Sequence, residues 1–528
     1  MYQNCTGRSP LQRSMGKFYH LTTTAGLQAA LATLPSGTTL GFVPTMGALH
    51  GGHAALIQRA RQECDVVVVS IFVNPLQFGP QEDLDRYPRT LEADALLCQQ
   101  LGVNILFTPS VGELYPAGMD GLTVVEPPRE LTERLCGRSR PGHFRGVATI
   151  VLKLLHLVQP DRAYFGQKDA QQLAMIRRCV ADLNLDVEII SCPIVRDVDG
   201  LALSSRNQYL SERDRATALA LSQSLEVATA AFHQGCFAAS DLLQQVHNHL
   251  RQFPQLRLDY AELVHPQTLV PLERIETVGL LAIAGWVGQT RLIDNCLLDR
   301  RLPILAVDGP AGAGKSTVTR RAAQALGLQY LDTGAMYRAV TWWCLENHID
   351  LDDEPAVVEA IAHCQLRLES SDPHQPPRVW INERDISQAI RSLEVTQRVS
   401  QIAALRGVRR LMVQQQRAIG ANGGIAAEGR DIGTHVFPDA GLKIFLTASP
   451  EERAQRRWQE LQQQGECDLS YEELLSQITA RDTADRQRTY APFRKAADAI
   501  EVCTDNLGID EVVSKIVHLY RSRFPQSC

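Results

Sequence analysis

From Thr39 onward, short apolar runs alternate with segments whose apolar positions recur every three or four residues. TLGFVPT at 39–45 predicts a strand, and HAALIQRARQEC at 53–64 predicts the helix after it. DVVVVSIFV at 65–73 is apolar on both alternating faces, as expected of a strand covered from both sides. TLEADALLCQQLG at 90–102 reads as helix and NILFTP at 104–109 as strand. Further on, RAYFG at 162–166, AQQLAMIRRCVADL at 170–183 and DVEIISCPIV at 186–195 repeat the strand–helix–strand order. Such alternation predicts a parallel sheet wrapped by helices, the α/β class.

Residues 211–253 have mainly helical periodicity. Strand-like pieces at LDYAELVH (258–265) and GLLAIAGWVG (279–288) then suggest a smaller α+β piece. LLDRRLPILAVDG at 297–309 is read as a fresh strand that opens a second alternating region, with no Gly/Ser linker at 298–302. There, KSTVTRRAAQALG (315–327) predicts a helix, and GIAAEG, LKIFLTA and AIEVCT predict strands. QLRLESSDPHQPPRVWINERDIS at 365–387 interrupts the rhythm with β-like pieces and a proline-rich tip, and reads as an insertion over a site. The two regions share a general βα style but no repeated sequence period.

Composition narrows the function classes. With 528 residues, 45% hydrophobic and 21% charged, the chain has material for several globular cores. A net charge of −6 argues against a general nucleic-acid or membrane-surface binder. The 13 cysteines are scattered with no C-x-x-C pair, which favours reduced thiols in a cytoplasm. No apolar run approaches the length of a membrane span. Residues 1–17 read as a flexible tail, within which Met15 offers an alternative start.

Two glycine-rich stretches carry the candidate chemistry. DGPAGAGKST at 308–317 contains the full G-x-x-x-x-G-K-S pattern between a predicted strand and helix. Backbone N–H groups of Gly309, Pro310–Gly314 (Pro310 excepted, having none) and Thr317 can turn toward phosphate; Lys315 supplies a point charge, and the Ser316 hydroxyl can reach Mg²⁺. The other stretch, PTMGALHGGHAAL at 44–56, places His50 and His53 at a predicted helix start. Their spacing suits a zinc-binding turn, but no third ligand and no H-E-x-x-H glutamate accompanies them. A packed core histidine and a phosphate grip are the other readings.

Downstream of the second glycine loop, DTGAMYR (332–338), EGRDIGTHVFPDA (428–440) and RDTADRQR (481–488) resemble cytidylate kinase in order and spacing, over about 302–525. The resemblance implies a P-loop nucleoside monophosphate kinase over 302–528, with an acceptor-binding insertion at about 364–387 and a lid at about 450–490. It implies ATP binding through Gly309, Pro310, Ala311, Gly312, Ala313, Gly314, Lys315, Ser316 and Thr317, and γ-phosphoryl transfer to CMP or dCMP. Arg338, Arg430 and Arg488 would hold the acceptor phosphate, with Thr333 where serine is usual. Ser400, Arg409 and Asp431 would read cytosine, whose amino donor and ring acceptors suit a carboxylate beside an arginine. Arg481 and Asp485 would contact the ribose, and Arg453, Arg456 and Arg457 belong to the lid.

The histidine stretch carries the H-x-G-H adenylylation signature. Together with SIFVNPLQF, YPRT, RPGHFRGVATIV, FGQKDAQQL and GLALSSRNQYL it resembles pantothenate synthetase over about 18–298. The resemblance implies a Rossmann-like nucleotidyltransferase core to about 210, a smaller α+β subdomain after it, and dimerisation through this half. ATP would be held by Met46, Gly47, Ala48, Leu49, His50, Gly51, Gly52 and His53, by Gly166, Gln167, Lys168 and Asp169, and by Val195, Leu203, Ser204, Ser205 and Arg206. His53 would be the proton donor beside His50, Arg206 the cation for leaving pyrophosphate, and Asp169 a Mg²⁺ contact. Gln77 and Gln172 would hold pantoate, with Gln77 also near β-alanine; Gln167 stands where glutamate is usual. The alternatives are a half retained as a nucleotide-binding regulatory module, or a C-terminal kinase for another small acceptor.

Overall fold

The valine run at 66–69 lies buried inside a six-stranded parallel sheet, which explains why both its faces are apolar. The computed structural model describes residues 17–80, 82–369, 372, 375–464, 470–486 and 493–525. The proposed tail up to residue 16, with Met15, and Arg488 lie outside the described residues. The chain divides into two units, Met1–Arg300 and Arg301–Cys528.

In the first unit the strands are β1 (Tyr19–Leu21), β2 (Leu40–Thr45), β3 (Val66–Ile71), β4 (Ile105–Phe107), β5 (Arg162–Gly166) and β6 (Glu188–Cys192). Their order across the sheet is β1-β4-β3-β2-β5-β6. The alternating pattern thus yields the expected parallel sheet, with one addition. β1, earlier than the first predicted strand, pairs with β4 at the edge. Order reverses between β2 and β5, so a crevice opens outside the carboxyl ends of those two strands. The helix His143–Val158, carrying a largely buried apolar stripe, leads the chain into β5.

A satellite core follows. Helices Glu212–His233 and Ala239–Leu250 pack on an antiparallel sheet of β7 (Leu256–Val264), β8 (Val278–Val287) and β9 (Thr290–Asp299). The reading of LLDRR as the start of a fresh strand is corrected here: Leu297–Asp299 finish β9 and pair with β8. Pairing fixes these residues in the earlier sheet, and the new strand begins at Leu305.

The second unit has a five-stranded parallel sheet built from β10 (Leu305–Asp308), β11 (Gln329–Asp332), β15 (Ile425–Gly429), β16 (Leu442–Thr447) and β17 (Ile500–Cys503), in the order β11-β15-β10-β16-β17. β12 (Leu366–Glu369), β13 (Arg378–Ile381) and β14 (Arg384–Asp385) form the antiparallel insert expected from the interrupting sequence. The glycine loop leaves the central strand, β10, and leads into the helix Lys315–Leu326. No described helix is long and apolar enough to cross a membrane.

Candidate active sites

In the first unit, chain leaving β2 turns through Met46–Leu49 before the helix Gly51–Glu63. Gly47 (φ +83°) and Ala48 (φ +50°) are both left-handed. Alanine there costs roughly 1 kcal/mol. The buried Asp94 carboxylate offsets this by accepting from the N–H groups of Ala48 (3.0 Å) and Leu49 (2.8 Å). His50 caps the helix: its Nδ1 accepts from the Gly52 N–H at 3.1 Å. His53 Nδ1 accepts in turn from the His50 N–H at 3.3 Å. The two rings stand 4.2 Å apart. A ring nitrogen that accepts carries no proton, so Nε2–H is the free donor on each neutral ring.

Burial, then the Lys168 ammonium, pulls His50 down to about 4. Burial, then the His50 ring and Lys168, pulls His53 down to about 3. Both imidazoles are therefore neutral at physiological pH. Among the described residues no group of three or more His, Cys, Asp or Glu side chains gathers into a metal cage.

β5 ends across the crevice and delivers Gly166–Asp169. Asn295 of β9 anchors this turn, its Nδ2 donating to the carbonyls of Gln167 (3.0 Å) and Lys168 (2.9 Å). Lys168 Nζ lies 3.4 Å from Asp169 Oδ2. Burial works to raise the Asp169 pKa, but Lys168 overrides it and holds the carboxyl below its ordinary value. The Leu203 N–H donates to the Val195 carbonyl at 2.9 Å. Leu203 also crowds Gly51, where an added Cβ would meet its Cδ1 at 3.0 Å. Ser204 Oγ accepts from the Arg206 N–H at 3.3 Å, and Ser205 Oγ lies 3.2 Å from the Tyr87 hydroxyl.

Gln77 ends the short turn Pro75–Gln77 and is buried. Its Nε2 points at Met46 Sδ (2.9 Å), and His143 Nδ1 lies 2.7 Å from its carbonyl. Gln172, with Lys168, Asp169, Ser204 and Arg206, lines a cavity of about 560 Å³. The structure thus brings Lys168, Asp169, Gln172, Ser204 and Arg206 to one cavity, while His50, His53 and Gln77 are not among its lining residues and the two histidines feel Lys168 and Asp169 electrostatically. Asp94, Asn295 and His143 are supporting residues that the sequence analysis missed. His143 sits inside the quoted RPGHF stretch; Asp94 and Asn295 have no motif around them.

In the second unit, Gly312 (φ +76°) and Gly314 (φ +80°) take left-handed conformations that turn the loop. Gly309 is required for a different reason: an added Cβ would sit 2.3 Å from the Leu446 carbonyl oxygen. Lys315 Nζ donates to the Pro310 carbonyl at 2.7 Å. Burial, then the Arg430 guanidinium, pulls the Lys315 pKa far below its ordinary value; Arg481 pushes the same way. A cation held this way gains most when a phosphate arrives.

Of the acceptor-side residues, Arg430 meets the same loop directly. Arg430 donates from Nη1 to the Gly309 carbonyl (3.1 Å) and from Nε to Asp485 (3.0 Å). Arg409 and Asp431 form a buried ion pair, and the Arg409 guanidinium stands 5.6 Å from the Tyr337 ring. Arg338 reaches Asp332 at 3.3 Å, and Thr333 Oγ1 donates to the Glu428 carbonyl at 2.7 Å. Ser400 is half-buried on the helix Leu393–Ile402. Asp308, missed from sequence although it directly precedes the glycine loop, accepts from the N–H groups of Ile432 (2.8 Å) and Gly433 (2.7 Å). Of the lid arginines, Arg453 is buried, donating to the Ala311 carbonyl (3.0 Å) and pairing with Asp482 (2.7 Å). Arg456 turns to the Thr504 carbonyl (2.8 Å).

These arrangements define a class: a Rossmann-type nucleotide-binding ligase unit joined to a P-loop kinase unit. The family model for pantoate–β-alanine ligase matches residues 20–297, and that for cytidylate kinase matches residues 305–522. The chain is 89% identical to a bifunctional pantoate ligase/cytidylate kinase of Thermosynechococcus vestitus, over 97% of this chain and 100% of the relative. The counterpart in Acaryochloris marina is 56% identical, over 93% and 94%. The crystal structure of pantothenate synthetase from Thermus thermophilus is 48% identical with a TM-score of 0.51, over 53% of this chain and 99% of that one. The chain belongs to the bifunctional pantoate ligase/cytidylate kinase family, and carries both ATP-using activities.

Proposed function

We propose that the two activities run at separate sites, which break ATP at different phosphorus atoms. The synthetase spans about 18–298 and the kinase 302–528, both working in the cytoplasm, with dimerisation through the first half. In the first half, a pantoate carboxylate oxygen attacks the α-phosphorus of ATP, and pyrophosphate leaves. The β-alanine amine then attacks the acyl carbon of the mixed anhydride, giving pantothenate and AMP. The observation that supports this most is the paired Nδ1 acceptance by His50 and His53, which leaves a neutral Nε2–H donor on each ring at the helix start.

Such donors stabilise charge developing on the α-phosphate, as fixed dipoles do in other sites. With its pKa near 3, His53 is neutral and acts through its N–H as a hydrogen-bond donor, which replaces the proton-donor role that the resemblance implies. Lys168 and Arg206 take the phosphates that depart, and Gln77 and Gln172 orient pantoate as neutral amides. Met46–His53, Gly166–Asp169, Val195 and Leu203–Arg206 frame the nucleotide.

In the second half, Gly309–Thr317 hold the triphosphate, while Lys315, Arg338 and Arg430 spread over the oxygens that gain charge in transfer. Ser400, Arg409 and Asp431 read the cytosine edge, and Arg481 and Asp485 face the ribose; Arg488 completes the phosphate set. The oxygen donors beside the loop, Ser316 with the buried carboxylate of Glu428, fit a hard divalent cation. Mg²⁺ would there neutralise phosphate charge, and Asp169 offers a contact in the first half.

Isotope transfer tests the first reaction: pantoate labelled with ¹⁸O in its carboxylate should deliver one label to AMP. Label found in pyrophosphate would overturn it. For the second, CMP and dCMP should outrun AMP and UMP in a substrate panel, and a preference for AMP would remove the cytosine assignment.

A further inference from the structure

Arg206 is held by a carboxylate that none of the proposed roles uses. Its Nε and Nη2 donate to the two oxygens of Asp83 at 2.9 and 2.8 Å, a bidentate fork of the kind that guanidinium groups also make with phosphate. The pair lies on the wall of the same cavity as Lys168, and the Asp83 side chain is 14% exposed. Burial works to raise the Asp83 pKa, but Arg206 overrides it and keeps the carboxyl below its ordinary value, so it is charged throughout the neutral range.

The neighbouring acid cannot stand in for Asp83. Both Glu82 oxygens are engaged by Arg140, at 2.7 and 2.6 Å. Nor does Asp83 alone hold its loop to the turn Ser205–Tyr209. The Tyr87 hydroxyl lies 3.2 Å from Ser205 Oγ, and the Tyr209 hydroxyl donates to the Arg86 carbonyl at 2.9 Å. Loop 82–87 is therefore stitched to the Arg206 turn at three points, and only one of them consumes cationic charge.

We infer that Asp83 is a positioning residue that competes with phosphate for Arg206 and thereby weakens the grip on the departing pyrophosphate. The inference rests on the proposed role of Arg206. A site that must release pyrophosphate in each turnover gains from a built-in competitor: the guanidinium is kept aligned, but part of its charge is already spent on Asp83.

Inhibition of pantothenate formation by added pyrophosphate reads this directly in the full chain. Asp83→Asn should tighten that inhibition about fivefold and lower KM for ATP in the same assay, the scale of freeing a partly exposed ion pair. Asp83→Glu, which restores a carboxylate, should return the inhibition toward the original value. CMP phosphorylation by the same chain should stay unchanged in both variants, which confines the effect to the first unit, and an unchanged circular-dichroism melting profile reports that this unit is folded. Inhibition that is unchanged or weakened in Asp83→Asn overturns the inference. Arg206→Ala separates the two layers. If it weakens pyrophosphate inhibition while Asp83→Asn fails to tighten it, only the competition idea falls. If Arg206→Ala has no effect, the phosphate role of Arg206 falls as well.

Discussion

The two nucleotide loops leave their sheets at equivalent places, yet they are built from different donors. Each follows a strand at the middle of a parallel sheet, and each opens a helix. The loop after β10 carries its own cation, Lys315, inside turns made by left-handed Gly312 and Gly314. The loop after β2 carries no charged side chain of its own: His50 and His53 are neutral, and the cations proposed to serve it, Lys168 and Arg206, sit on other elements. The reactions proposed for them explain the contrast. A carboxylate nucleophile must approach the α-phosphorus, and a cation placed there would bind that carboxylate unproductively. Neutral donors stabilise the developing charge without trapping the attacker. The kinase acceptor is itself a phosphate ester, so cations around the transferred group serve donor and acceptor together.

The most severe way to break this comparison is to remove one group from each loop. His53→Ala should lower pantothenate formation by about 10³-fold and leave CMP phosphorylation intact. Lys315→Ala should do the converse, as measured by the two assays on each purified variant. Loss of both activities in either variant would end the case for independent sites.

Next comes a packing change confined to the first unit. A Cβ at Gly146 would lie 2.2 Å from the Leu76 carbonyl oxygen and 2.8 Å from the Gln77 nitrogen. Gly146→Ala should therefore cost about 3 kcal/mol in that unit and lower its thermal midpoint, with ligase activity lost at lower temperature than kinase activity.

Acidity should also separate the units. His50, His53 and His143 titrate near 4, 3 and 3 in the folded chain, against an ordinary value of 6.5. Between those limits the unfolded chain binds more protons, so the first unit should lose stability as pH falls from about 6.5 toward 4. Asp308 works the other way: burial, partly opposed by its backbone hydrogen bonds, raises it from 3.8 to about 6. Its protonation should favour the folded second unit over the same range. Unfolding followed by residual ligase and kinase activity at several pH values checks both signs, and a first unit indifferent to pH would contradict buried neutral imidazoles.

Smaller effects sharpen the picture. Asn295→Ala removes both bonds to the Gln167–Lys168 turn and should raise KM for ATP in the ligase assay about fivefold, leaving the kinase KM unchanged. Thr333→Ser keeps the hydroxyl that donates to Glu428, so KM for CMP should move less than about twofold.

Periodicity and local motifs carried the architecture because they are short-range properties. A both-sided apolar run such as 66–73 has to be covered on two faces, and Gly-rich turns need residues without a Cβ. That was enough to place every parallel strand except the edge strands β1 and β11, together with the P-loop and the His50/His53 helix start, and the resemblance of the quoted motifs extended it to candidate residues. Where β9 ends was not settled by the local pattern, because Leu297–Asp299 and Leu305–Asp308 are both strand-like and only the partner strand distinguishes them.

The supporting groups were beyond reach for the same reason. Asp94 meets Ala48 across 46 residues, Arg206 meets Asp83 across 123, and Asn295 meets Lys168 across 127. An isolated aspartate or asparagine has no spacing to betray it, since its partner is chosen by how the sheets and loops pack. The amino-acid order therefore dictated which segments become strands, helices and anion-binding turns, through side-chain shape and backbone freedom. The protonation of the imidazoles and the pairing of the arginines were decided only in three dimensions, where burial and distant charges set the electrostatic field.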